Sequence, residues 1–100
     1  MDAYKLKILP AAQQDMRDIV DYVNTLSSSA ALKLYDEIVD GIGSLSTMPM
    51  RQALLKTTEL RAKGYRALRV NNYMVFYVVL GDTVQIRRIL YAKRQFEALL

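Results

Sequence analysis

The chain has 100 residues, 52% of them hydrophobic, with four Gly, two Pro and a formal net charge of +4. That fits one folded domain and excludes a disordered or low-complexity chain. It contains no Cys and no His, which excludes a disulfide framework, the usual zinc ligands, and the Ser-His and Cys-His nucleophile systems; no metal and no cofactor are expected.

The opening stretch AYKLKIL alternates, with Tyr4, Leu6 and Ile8 on one side and Lys5 and Lys7 on the other. This predicts a half-buried strand. MDAYKLKIL carries no apolar run of the signal-peptide kind, and no apolar segment approaches the length of a membrane span. A cytoplasmic protein is expected.

Pro10 opens a helix, where its missing N–H costs nothing. In AAQQDMRDIVDYVNTL the apolar positions Ala12, Met16, Ile19, Val20 and Val23 form one helical stripe. Asp15, Asp18 and Asp21 are expected to face solvent, as are Asp36, Glu37 and Asp40 further on. Ser27-Ser28-Ser29 then caps a second helix. Its core stripe is Ala31, Leu34, Ile38, Ile42 and Leu45, and Met48-Pro49 is expected to end it. Leu32, Tyr35 and Val39 make a second apolar stripe, which is either core beneath the following loop or an exposed partner surface. The short connection predicts an antiparallel helical hairpin.

Residues 50–63 show no clean period and read as a loop with one helical turn. GYRALRV is a strand, and Asn71-Asn72 is a turn. YMVFYVVL is apolar on both faces, so it is expected at the centre of the sheet. After Gly81-Asp82, TVQIRRILY is the last strand, and KRQFEALL a short closing helix or tail. The fold class is therefore α+β, in the order β-α-α-β-β-β. An antiparallel meander carries a helical hairpin on one face.

Charge is divided unevenly. Residues 1–50 are net −3, whereas residues 51–94 are net +8. Four cations fall between Arg87 and Arg94. Such asymmetry points to a polyanion or an acidic partner. The second half's positive groups are expected to converge into one anion-receptive hollow. By alternation, Arg87 shares a face with Ile89 and Tyr91, while Arg88 shares one with Val84, Ile86 and Leu90. Arg88 reads as a structural arginine bonding helix carbonyls.

Four stretches in this order, ILPAAQQDMRDIVDYV, SLSTMP, GYRALRVNNYMVFYVV and VQIRRILYAKRQFEALL, resemble the RelE/ParE superfamily of bacterial toxins from type II toxin–antitoxin (plasmid stabilisation) modules. The resemblance covers nearly the whole chain. It implies a cytoplasmic growth inhibitor neutralised by a cognate antitoxin, with operator DNA contacted only through that antitoxin. One branch of the superfamily poisons DNA gyrase by binding. The other cuts messenger RNA in the ribosome.

The RNA-cleaving branch implies Arg94, Lys93, Tyr91 and Arg69 as catalytic candidates. Metal-independent cleavage needs a steered 2′-oxygen, stabilised phosphate charge and a protonated leaving oxygen. Arg suits phosphate because its planar fork offers paired donors. Tyr91 reads equally as an aromatic closing the core. RNA-cleaving members usually place an arginine second in the central strand, where this chain has Met74. Losing one preorganised donor costs on the order of 3 kcal/mol of transition-state stabilisation. That departure and the acidic hairpin lean toward a gyrase poison. Lys63, Arg66, Arg87 and Arg61 are candidates for contacting the target. Leu32, Tyr35 and Val39, continued by Phe96, Leu99 and Leu100, are candidates for an antitoxin groove. A third possibility is a basic protein-binding module without toxicity.

Overall fold

A computed structural model describes residues 3–100 of the chain. Strand β1 (Lys5–Ile8) leads into helix α1 (Pro10–Leu26), and helix α2 (Ser28–Ser44) follows at once. A 3-10 turn (Pro49–Arg51) and the short helix α3 (Thr58–Ala62) precede β2 (Arg66–Val70), β3 (Tyr73–Leu80) and β4 (Thr83–Tyr91). The sheet order is β1-β4-β3-β2, with β3 internal as its two-faced apolar sequence requires.

The meander β2-β3-β4 is antiparallel, but β1 joins β4 in parallel, so the four-stranded sheet is mixed. A parallel neighbour is available because β1 and β4 are not joined by a hairpin. At the edge of the sheet, β1 is less covered than its alternation predicts, and Leu6 and Ile8 are each 38% exposed.

Pro10 sits in the first turn of α1. Ser27 caps α2, its hydroxyl accepting the Ala30 N–H at 3.2 Å. The α2 stripe Ala31, Leu34, Ile38, Ile42 and Leu45 is buried as expected. The helix ends at Ser44, short of Met48-Pro49; Met48 instead takes the left-handed conformation (φ 51°) ahead of the 3-10 turn.

Two apolar clusters lie on the two faces of the sheet. Under α1 and α2, Ala12, Leu34, Ile38, Val75, Tyr77, Val84, Ile86 and Ile89 pack together. On the far face, Leu60 of α3, Tyr65, Phe76, Val78 and Leu90 pack with Phe96, Leu99 and Leu100 of the tail. The predicted closing helix is a single 3-10 turn, Glu97–Leu99. Phe96 and Phe76 are tilted against each other with centroids 4.7 Å apart.

Alternation in β4 breaks in the middle. Phe76 faces Arg88 while Tyr77 faces Ile86, so Arg87 is an extra residue in a β-bulge. The bulge corrects the expected faces. Ile86 lies on the helical side and Leu90 on the far side. Arg87 does not share a face with Ile89 and Tyr91. Its guanidinium lies over the Tyr65 ring, 5.7 Å from the centroid, on the far side.

Arg88 is structural, although its main partner is a carboxylate rather than a helix carbonyl. Its Nε and Nη2 donate to the two oxygens of Asp15 at 2.7 and 2.9 Å, and Nη1 donates to the Leu99 carbonyl at 3.3 Å. Asp15, expected to face solvent, also accepts the Ile89 N–H at 2.9 Å. The reason lies in the topology. The pairing of β1 with β4 ends at Ile8 and Ile86, and the chain then turns into α1. The Asp15 carboxylate occupies the edge of β4 that β1 has left.

Candidate functional site

The end of the sheet where β4 stops brings together the most chemically active side chains. Asn71, in the left-handed conformation (φ 56°), turns β2 into β3. The Ala92 N–H donates to the Asn72 carbonyl at 2.7 Å. That bond pins the segment after β4 beside the hairpin turn. Arg94 N–H then donates to the Tyr91 carbonyl at 3.0 Å, closing a tight turn that leaves Lys93 and Arg94 exposed. Neither forms an ion pair among the described residues.

Tyr73 and Tyr91 are register partners and meet edge to face, 5.8 Å between centroids at 71°. Tyr91 is 44% exposed. Tyr73 is half-buried, and burial raises its pKa above the ordinary value, with the neighbouring phenols of Tyr91 and Tyr22 adding to the rise. It is therefore a poor proton acceptor near neutrality.

The four catalytic candidates do not share one face. Val70, Tyr73 and Tyr91 form one row across the strands, and Arg69, Met74 and Leu90 form the next. Adjacent rows project to opposite sides of a sheet. Tyr91 thus lies on the helical side and Arg69 on the far side. Arg69 is exposed and donates Nε to the Asn71 carbonyl at 2.7 Å. Met74 packs in the far-face cluster, with no basic group in its place.

The other cations are dispersed. Arg66 donates to the carbonyls of Gln52 and Met50, holding the loop before α3. Lys63 pairs with Glu59 at 3.4 Å, one turn away on α3, and Arg61 is exposed on the same helix. Arg87 sits over Tyr65, its Nε buried without a partner. Arg88 is committed to Asp15. The expected single anion-receptive hollow is not formed. Short strands and the bulge send these side chains to both faces and to the α3 side.

The antitoxin candidates also separate. Leu32, Tyr35 and Val39 are 68%, 45% and 43% exposed on α2, so they are surface rather than core. Tyr35 and Val39 border a cavity of about 300 Å³ with Ile8, Met16, Ile42 and Ile89, rimmed by Gln13 and Arg17. Phe96, Leu99 and Leu100 do not continue this surface. They are partly buried on the opposite face of the sheet, where the tail covers the second cluster.

Sequence reasoning did not single out Tyr22 or Tyr73, nor Asp15 as the partner of Arg88. Tyr22 sits off the apolar stripe of α1, and this was its only signal.

Among the described residues, no group of three or more His, Cys, Asp or Glu is placed to hold a metal ion, and no helix is long and apolar enough to cross a membrane. Among solved structures, the chain is similar to one titled as a chromosomal ParDE toxin–antitoxin system from P. aeruginosa. The TM-score is 0.77 at 24% identity, covering 91% of this chain and 98% of that one. It is also similar to the toxin–antitoxin complex RelBE2 from Mycobacterium tuberculosis, with a TM-score of 0.60 at 22% identity over 89% of this chain and 98% of that one. At these identities the likeness is one of fold. No curated protein sequence matches the chain. The family of ParE toxins of the type II toxin–antitoxin system parDE matches residues 6–96, from β1 through the turn that carries Lys93 and Arg94. The chain belongs to the ParE toxin family of type II toxin–antitoxin systems.

Proposed function

We propose that this toxin arrests growth in the cytoplasm by binding DNA gyrase, and that it does so without cleaving RNA itself. The observation that carries this reading is the placement of Tyr91 and Arg69 on opposite faces of the sheet, with Met74 between their strands. RNA cleavage without a metal requires base, acid and phosphate-stabilising groups around one reacting atom. A binding inhibitor requires no catalytic set, only exposed groups that can meet its target, and Lys93 and Arg94 stand exposed and without an ion-pair partner among the described residues at the end of β4.

The neutralising partner is a cognate antitoxin. It is an acidic, apolar chain that lays apolar residues along Leu32, Tyr35 and Val39 and fills the adjoining cavity between α1 and α2. Operator DNA is contacted through that antitoxin alone. Ribosome-dependent RNA cleavage by Tyr91, Lys93 and Arg94 is the competing reading, because these three residues do gather at one end of the sheet.

Two assays on the purified toxin separate the readings. The expected result is loss of gyrase supercoiling with trapped, cleaved DNA, while message in a translating extract stays intact. Cut message with normal supercoiling overturns the proposal. In that case Arg94→Ala should abolish cleavage. Unimpaired growth on induction without antitoxin would instead favour a binding module that is not toxic.

A further inference from the structure

We infer that the cavity between α1, α2 and the sheet binds a medium-chain fatty acid, whose alkyl chain lies against Ile8, Met16, Tyr35, Val39, Ile42 and Ile89 and whose carboxylate meets Arg17. Binding of the acid to the free chain depends on neither gyrase nor the antitoxin.

The cavity follows from the topology. Strand β1 stops pairing with β4 at Ile8 and Ile86, and the chain turns at once into α1. Ile8 and Ile89, which lies past the paired stretch, supply the strand side of the cavity. Met16 supplies the α1 side, and Tyr35, Val39 and Ile42 supply the α2 side. The volume is about 300 Å³, room for about ten groups of water or methylene size at about 30 Å³ each. An apolar concavity with a few polar groups at its mouth is the usual form of a small-ligand site.

Charge at the mouth selects the head group. Gln13 and Arg17 stand at the rim. The Gln13 amide donates to the Ile8 carbonyl at 2.8 Å, and Arg17 Nη2 donates to Gln14 Oε1 at 2.8 Å. Among the described residues no ion pair neutralises Arg17. Asp15, two positions away, is committed to Arg88 and to the Ile89 N–H. The Arg17 guanidinium keeps further donors in a planar fork that suits a carboxylate.

One cation limits the ligand to one negative charge. Asp18, Asp21, Asp36 and Asp40 are exposed on the same two helices, so a phosphate dianion or a polyanion is repelled where a monocarboxylate is matched. A cationic amphiphile would bring its head against Arg17. Tyr35 is the one aromatic in a lining of Ile, Val and Met, which adapts to a flexible chain. Tyr35 and Val39 also belong to the surface assigned above to the antitoxin, so the acid competes with antitoxin capture. That consequence rests on the antitoxin reading.

The test is calorimetric titration of the full chain with decanoate below the concentration at which the acid forms micelles, with methyl resonances followed in parallel. Saturable binding of one acid per chain is expected, with a raised melting temperature. Shifts should concentrate at Ile8, Met16, Val39, Ile42 and Ile89 and spare Leu60 and Val78 of the far-face cluster. Octanoate, two methylenes shorter, should bind about tenfold more weakly. Arg17→Gln should weaken decanoate about threefold and leave decanol unchanged. Val39→Phe, which fills the mouth from an exposed position, should abolish binding without lowering the melting temperature. Non-saturable binding, a lowered melting temperature, equal shifts on both faces of the sheet, or full affinity in Val39→Phe overturns the site. Equal losses of decanoate and decanol in Arg17→Gln overturn the carboxylate assignment. Antitoxin captured at full affinity in saturating decanoate overturns the competition if Tyr35→Asp and Val39→Asp weaken capture; if they do not, it is the antitoxin reading that fails.

Discussion

Arg88 and Asp15 lie 73 positions apart in the chain and form a two-pronged ion pair, at 2.7 and 2.9 Å, with side chains only 23% and 11% exposed. The same carboxylate accepts the Ile89 N–H. The pair joins the first helix to the last strand, and Arg88 Nη1 extends the link to the tail at Leu99. The Asp15 contact holds the Arg88 guanidinium above its ordinary pKa, so the arginine stays charged at any pH where the protein is folded.

Removing one partner therefore leaves a shielded charge without its complement. Asp15→Ala should cost about 3 kcal/mol, since it also orphans the Ile89 N–H. For a domain of this size that is a fall of at least about 10 °C in melting temperature. The double change Asp15→Ala with Arg88→Met should cost less than the sum of the single changes. Thermal unfolding of the four proteins checks this; additive losses would mean that the pair is not coupled.

Tyr77 predicts alkaline sensitivity. Its ring is fully buried and its hydroxyl donates to the Pro49 carbonyl. Burial raises its pKa, partly offset by Arg66 and Arg51. The folded value thus lies above the unfolded value of about 10. The neutral phenol's contribution is complete below about pH 10 and is lost as pH rises through the folded value. Tyr77→Phe should cost about 1 kcal/mol at neutral pH through the lost hydrogen bond. It should also lose less stability than the parent between neutral pH and strongly alkaline pH. Equal alkaline losses in denaturant titrations would contradict this assignment.

Two glycines of α2 should respond in opposite directions to the same substitution. A Cβ on Gly41 would stand 2.7 Å from Val70 Cγ2, whereas one on Gly43 meets nothing within 4 Å. Gly41 is where α2 comes close to β2. Gly41→Ala should destabilise by about 1–3 kcal/mol because packed layers must separate. Gly43→Ala should stabilise by about 0.5 kcal/mol through helix propensity. Melting temperatures that move in the same direction would rule out the close approach as the cause.

The α2 surface gives a prediction for partner binding. Leu32→Asp, Tyr35→Asp and Val39→Asp alter exposed positions, so each should leave the fold intact. Each should weaken capture of the cognate antitoxin by tenfold or more, because apolar contact is replaced by a charge facing an acidic chain. Calorimetric titration of the antitoxin measures it. Full affinity in all three variants would move the antitoxin to another surface.

The order of elements, the buried stripe of α2, its Ser27 cap, the internal position of β3 and the α+β class were all legible in the sequence. Each rests on a period or a cap that only neighbouring residues set, and local backbone geometry enforces it wherever the segment packs. What only tertiary structure decided concerns placement. A single extra residue, Arg87, reversed the alternation of β4, and a bulge has no periodic signature. The parallel docking of β1 left an edge that Asp15 had to close, which turned an apparently solvated acid into the partner of Arg88. The tail folded onto the far face of the sheet and took Phe96, Leu99 and Leu100 away from Leu32, Tyr35 and Val39. Charge totals identified a basic half, but which cations point together depends on side-chain directions across strands distant in sequence. Those directions follow from register, and register forms only when the strands pair.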